Sequence, residues 1–153
     1  FTVIPNRHAA ILNLIELRGG HSVKRRGCTI TPYPVSHSVP ATGYLVEDSK
    51  GRRFLYTGDT RPTEAIWKKL GEKQLHCLII ETSFPNRMEE IAIRTGHLTP
   101  RLLGKELQKI ENEPEKIFVT HLKPPYFNTI RKELQKLKIK NLKLLRDGEI
   151  IRV

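Results

Sequence analysis

A layered α/β or α+β domain is the fold class this sequence predicts, on three observations. Short runs of β-branched and aromatic residues are bounded by Gly, Pro and Asp, as strands are. Two segments repeat Leu and Ile at helical spacing, and they alternate with apolar runs too short for helices. Acidic and imidazole side chains stand just beyond several of those runs, where open α/β sheets place their sites.

The elements follow in chain order. AAILNLIEL (9–17) reads as a helix, and Gly19, Gly20 and Gly27 bracket a turn-rich stretch in which Lys24, Arg25 and Arg26 mark a hairpin tip. CTITPYPVS (28–36) alternates as a strand, but Pro32 and Pro34 demote it to an edge or exit strand. TGYLVED and RRFLYTG flank SKG as a hairpin that delivers Asp59 at its carboxyl end. In RPTEAIWKKL, Thr63 is positioned to cap a short helix with Ile66, Trp67 and Leu70 facing inward. HCLIIET is an apolar strand ending in Glu81. TPRLLGKELQKIENE is an amphipathic helix, KIFVT a strand stopping at His121, and NTIRKELQKLKI a second amphipathic helix. NLKLL and EIIRV read as two closing strands joined by Arg-Asp-Gly.

Composition narrows the class. The 153 residues suit one domain able to bury a core without disulfides, and 38% apolar with 28% charged residues describe a globular protein. No apolar run approaches the roughly 20 residues that span a bilayer, so no membrane partner and a cytoplasmic setting are expected. Cys28 and Cys77 form neither a CxxC knuckle nor a redox pair and read as free thiols. The formal net charge of +11 favours an anionic partner such as nucleotide, RNA or phosphate, and equally describes a lysine-rich solvated surface.

Five polar residues stand out by position. His37, Asp59, Glu81 and His121 each follow a run of strand-forming residues, and His97 opens a helix in which Thr99 caps and Pro100 takes the first position. Each also has a plainer reading: His37 as a loop histidine, Asp59 as turn chemistry, His97 as a helix-entry residue. Glu81, at the end of a buried strand, needs a partner. His8, His21 and His76 lack such settings. No spacing of the HExxH kind occurs, yet imidazole with carboxylate suits Zn²⁺ or Mn²⁺.

The ordered set VSHSVPATGY, YTGDT, IETSFPN, GHLTP and VTHLKPPY resembles the carboxyl-terminal half of the metallo-β-lactamase superfamily. Within it, the set is most similar to class II cyclic-nucleotide phosphodiesterases, with tRNase Z a near neighbour. The resemblance runs from about residue 28 to the end and implies an αββα sandwich, of which the chain supplies mainly the second half. It implies two divalent metal ions, zinc ahead of manganese, with His37 on the first, Asp59 bridging both and His121 on the second. Glu81 and His97 match a pair serving the leaving oxygen, and Lys123 a phosphate contact. The implied reaction is hydrolysis of a 3′,5′-cyclic nucleotide (cAMP or cGMP) to the 5′-monophosphate, by hydroxide that the ions make available near neutral pH.

Departures from the family pattern shape the alternatives. Both families carry HxHxDH before these motifs, and no His-x-His pair occurs here. The expectation is that an amino-terminal part precedes Phe1 and carries it; on its own, the chain is then expected to be poorly soluble, swapped or oligomeric, with a homodimer as one form. A tRNase Z-like RNA endonuclease is the first alternative, although EAT is expected where Glu81-Thr82-Ser83 stands. A non-catalytic remnant that binds a partner through its basic surface is the second.

Overall fold

The computed structural model describes Leu17 and residues 20–152. The helix expected over 9–17 therefore lies outside the described residues, save Leu17. Seven strands form one sheet in chain order: β1 (Val23–Arg25), β2 (Cys28–Val35), β3 (Ala41–Glu47), β4 (Arg53–Tyr56), β5 (Cys77–Glu81), β6 (Ile117–Thr120) and β7 (Leu142–Leu144). The first four pair antiparallel through tight turns, and β4 to β7 run parallel. That switch follows from connection length, since antiparallel neighbours need only a hairpin whereas parallel ones need a crossover.

The β3–β4 turn is held by Asp48, whose carboxylate accepts from the Lys50 and Arg52 N–H groups at 2.9 Å each. Those bonds and the Arg52 guanidinium keep the carboxyl below its ordinary range. β2 is not an edge strand along its whole length, because β1 covers Cys28 to Ile30. Beyond Ile30 only β3 remains as a neighbouring strand among the described residues. The Pro32 carbonyl accepts from Gly20 N–H rather than from β3, so the ring nitrogen of Pro32 also faces the side that β1 has left.

Helices α1 (Ala65–Leu70), α3 (Pro100–Leu107) and α4 (Phe127–Lys136) cover one face. Leu45, Leu55, Leu78 and Ile117 stand in register across four strands and pack with Ile66, Trp67, Leu70, Leu102, Leu103, Ile130 and Leu134. Gly43 lets α1 approach, since a Cβ there would lie 2.9 Å from Ile66 Cδ1 and from the Tyr56 carbonyl. The opposite face carries Tyr44 and Tyr56, directly paired and both exposed.

Three expectations are corrected. Thr63 does not cap α1: Glu64 takes that position, and the buried Thr63 hydroxyl has no hydrogen-bond partner among the described residues. α3 ends at Leu107, short of the helical pattern continuing to 113, and Asn112 and Glu113 lie beyond it. Residues 149–152 of EIIRV form no strand, and Ile150 is 86% exposed. A further helix, α2 (Glu89–Thr95), was not anticipated. Cys28 and Cys77 are free thiols, and burial pushes that of Cys77 up. No helix among the described residues is long and apolar enough to cross a membrane.

Candidate metal centre

Parallel strands end on the same side, so the carboxyl ends of β4, β5 and β6 form one rim. β4 continues through Thr57 and Gly58 to Asp59, β5 ends on Glu81, and β6 leads into His121. Thr57 N–H donates to the Ile79 carbonyl and Thr82 N–H to the Thr120 carbonyl, at 3.0 Å each, extending the register past the strands. His97 arrives from the α2–α3 connection, where its N–H donates to the Ala92 carbonyl at 2.7 Å and Thr99 caps α3.

The result is a compact group. Asp59, Glu81, His97 and His121 each offer one ligand atom, and these atoms lie within 4.8 Å of one another. Glu81 is 1% exposed and its carboxylate is fully engaged. Oε1 accepts from Thr60 N–H at 3.1 Å and from His97 Nδ1–H at 2.7 Å; Oε2 accepts from Ser83 Oγ–H at 2.9 Å and Leu98 N–H at 3.3 Å. Asp59 is half-exposed, and its Oδ1 lies 3.3 Å from His121 Nδ1. The two carboxylates thus differ: one is locked beneath the rim, and the other is open to a ligand.

His121 has φ +64, a left-handed backbone that a residue with a side chain occupies only when its surroundings hold it there. Ser83 Oγ sits 2.9 Å from its Nδ1 and 3.2 Å from its carbonyl. His37 stands outside the four-residue group but next to it, its ring centroid 5.1 Å from that of His97. The Gly96 carbonyl accepts from His37 Nδ1–H at 2.7 Å, which leaves Nε2 as the lone-pair nitrogen. The exit from β2 is tied to the Asp59 loop, because Arg61 N–H donates to the Ser36 carbonyl at 2.7 Å.

Gly96 is required at this contact. Its φ is +88, and a Cβ there would lie 2.3 Å from His37 Nδ1 and 2.6 Å from Ser38 N. Gly96→Ala is expected to displace His37 and to destabilise the protein by about 1–2 kcal/mol from the left-handed backbone alone. Thermal unfolding, with metal titration of the same variant, checks both effects.

Around His97 lie further rings and cations. Phe84 is 5.8 Å from His97 and Lys123 Nζ lies over the Phe84 ring at 5.3 Å, while Arg87 lies over Tyr126 at 5.7 Å. Lys123 is therefore anchored beside the rim rather than free in solvent. Burial, and then the charges of Asp59 and Glu81, raise the Tyr56 hydroxyl above its ordinary pKa. The structure brings together Asp59, Glu81, His97 and His121, with His37 and Lys123 at the margin. Sequence reasoning overlooked Thr60, Ser83 and Gly96 as individuals, although all three stood inside quoted motifs. Two imidazoles and two carboxylates make a donor set that fits Zn²⁺ or Mn²⁺.

Comparison with known proteins gives a consistent picture. A family model described as a beta-lactamase superfamily domain matches residues 2–122. A Yersinia pestis protein named "Probable 3',5'-cyclic-nucleotide phosphodiesterase" is 35% identical over 114 residues, covering 61% of this chain and 33% of that protein. A ribonuclease Z of Archaeoglobus fulgidus is 32% identical over 113 residues, covering 72% of this chain and 32% of the relative. Among solved structures, the metallo-beta-lactamase fold protein YhfI of Bacillus subtilis superposes with a TM-score of 0.72 at 17% identity, covering 88% of this chain and 54% of that one. The chain thus spans about a third of the length of these curated relatives.

Proposed function

Since the chain belongs to the beta-lactamase superfamily domain family and has the metallo-β-lactamase fold, we propose that it acts as part of a metal-dependent phosphodiesterase that opens 3′,5′-cyclic nucleotides to 5′-monophosphates. The observation that carries this reading is the convergence of Asp59, Glu81, His97 and His121 at one rim. Asp59 and His121 would hold metal, joined by His37 through its Nε2, and a second ion is part of the proposal, with zinc ahead of manganese. A divalent ion supplies Lewis acidity and a water acidified toward neutral pH.

The chain's own residues do the rest. Glu81 accepts the Nδ1 proton of His97 and so orients the ring and fixes its tautomer. His97, when it carries a second proton on Nε2, then delivers it to the ribose 3′ oxygen as that oxygen's bond to phosphorus breaks; the oxygen of water bonds to phosphorus in its place, and the proton this water gives up passes to solvent. Lys123, fixed over Phe84, contributes positive charge toward the phosphate. The HxHxDH donors that the resemblance implies are absent from these 153 residues, so the activity is proposed for a protein that supplies them.

The test is turnover of cAMP and cGMP with added Zn²⁺ or Mn²⁺, reading 5′-monophosphate by chromatography. Absence of that product with every added metal would overturn the reading.

A second reading, cleavage of RNA in the manner the ribonuclease Z relatives are named for, draws on the net charge of +11. Arg53, Lys68, Lys69 and Lys73 line an open depression of about 670 Å³ at the amino ends of β4 and β5, away from the cluster. RNA held by five or more phosphates is expected to lose roughly 10²-fold or more in affinity between 50 and 200 mM salt, whereas a cyclic mononucleotide loses only a few-fold. A steep salt slope would favour the second reading.

A further inference from the structure

Among the residues of the rim, Ser83 is the one whose single hydroxyl touches three of the others. Its Oγ lies 2.9 Å from Glu81 Oε2, 2.9 Å from His121 Nδ1, 3.3 Å from His97 Nδ1 and 3.2 Å from the His121 carbonyl. It is fully buried, so no solvent competes for these bonds. We propose that Ser83 is a positioning residue that fixes the tautomer and orientation of His121, joining it to the Glu81–His97 pair in one directed chain of hydrogen bonds.

The direction follows from counting protons. A serine hydroxyl has one proton to donate and two lone pairs with which to accept. Its strongest acceptor is the Glu81 carboxylate, since a charged, short bond outweighs a longer one to a neutral carbonyl. With that proton committed, Oγ can only accept, and Nδ1 of His121 must be the protonated nitrogen. The chain then reads His121 Nδ1–H to Ser83 Oγ–H to Glu81 Oε2, while Glu81 Oε1 accepts from His97 Nδ1–H at 2.7 Å. Both imidazoles are left with the Nε2 lone pair free. The left-handed backbone at His121, φ +64, is what turns its Nδ1 and its carbonyl together onto Ser83.

Alanine at this position would take away the shorter of the two acceptors within reach of His121 Nδ1–H, leaving the half-exposed Asp59 Oδ1 at 3.3 Å, and one of four donors to Glu81, but it would leave His97 bonded to Glu81. The two histidines should therefore respond differently, an outcome that general loosening of the rim would not produce. The inference rests on the reading of the cluster as a metal centre only for its consequence, and its test does not need turnover.

The experiment is nitrogen-15 spectroscopy of the histidine rings in the metal-free protein at pH 8, where free imidazole is neutral. In the native protein His97 and His121 are both expected to carry the proton on Nδ1. In Ser83→Ala, His97 is expected to stay so and His121 to shift toward the Nε2-protonated form. Affinity for zinc alone, measured against a competing chelator, should fall about 10–100-fold; Ser83→Thr, which keeps a hydroxyl, should stay within about threefold of native. An Nε2-protonated His121 in the native protein would overturn the inference, and so would a Ser83→Ala variant with an unchanged His121 tautomer. If that variant fails to fold, the native spectrum and Ser83→Thr decide. A protein with the expected tautomers but no cyclic-nucleotide turnover would refute the proposed function and leave the role of Ser83 standing.

Discussion

Replacing Asp59 with alanine is expected to lower phosphodiester hydrolysis by at least about 10³-fold while leaving the metal-free protein as stable as before. The two halves of that outcome come from different features of one residue. Asp59 is half-exposed, and its carboxylate meets His121 Nδ1 at 3.3 Å, so its loss should cost no more than about 0.5 kcal/mol of folding stability. As the metal ligand proposed above it would carry far more: the several kcal/mol of barrier lowering that metal ions supply corresponds to about 10³ in rate for 4 kcal/mol. Thermal unfolding separates the roles. At metal concentrations about 100 times Kd, the native protein should gain about 2.7 kcal/mol, or roughly 5–10 °C, and Asp59→Ala should gain nothing. Retention of the metal-induced gain in the variant would show that Asp59 is only a carboxylate at a turn, and the remnant reading would return if native protein gained nothing either.

The largest effect on stability is expected away from the rim, at Glu106. This carboxylate is 1% exposed and accepts from Trp67 Nε1–H at 2.7 Å, from Thr63 N–H at 3.2 Å and from Lys109 Nζ at 2.6 Å. Lys109 also donates to the Thr63 carbonyl and pairs with Glu64 at 2.7 Å. Glu106→Ala would leave the Trp67 and Thr63 N–H groups buried without acceptors, beside a Thr63 hydroxyl that already has none. Removing one partner of such a buried pair costs about 3–5 kcal/mol, which lowers the melting temperature by about 6–20 °C. Glu106→Gln retains an acceptor for Trp67 and should lose about half as much. Activity per folded molecule should not change; a fall at constant folded fraction would contradict the assignment of Glu106 to the core.

The same network fixes a pH dependence. Burial pulls the Lys109 ammonium down, but its hydrogen bonds and charge interactions with Glu106 and Glu64 outweigh that, so it titrates above its ordinary value. A group raised on folding contributes fully below its unfolded pKa, about 10.4 for lysine. Its contribution is then lost as pH rises through the folded value. The contribution of Lys109 to the Glu106 network should accordingly hold through neutral pH and be lost in strong alkali.

Particular elements show what could be read in advance. Leu78 to Glu81 could be recognised because a buried strand that closes on a carboxylate is chemically costly unless that carboxylate is bonded, and Glu81 accepts four bonds. α2 could not, since only Ala92 of EEIAIRT is buried while Ile91 and Ile93 are about 37–39% exposed, so no apolar stripe announces the helix. EIIRV misled in the opposite sense: β-branched residues form a strand only with a partner, and residues 149–152 find none among the described residues.

By itself, the sequence determined which polar residues follow the strands and open the helix: His37, Asp59, Glu81 and His121 were nameable from the switch between apolar run and polar residue, and His97 from the helix start at Thr99-Pro100. Only the tertiary structure decided how they meet. Parallel register between β4, β5 and β6 sets Asp59, Glu81 and His121 side by side, the α2–α3 connection brings His97 onto Glu81, and the bond from His37 to Gly96 holds His37 beside His97 rather than inside the four-residue group. Local patterning selects a residue's environment through burial and backbone preference. Distances between side chains far apart in the chain are set by strand register and backbone handedness, to which composition and spacing are blind.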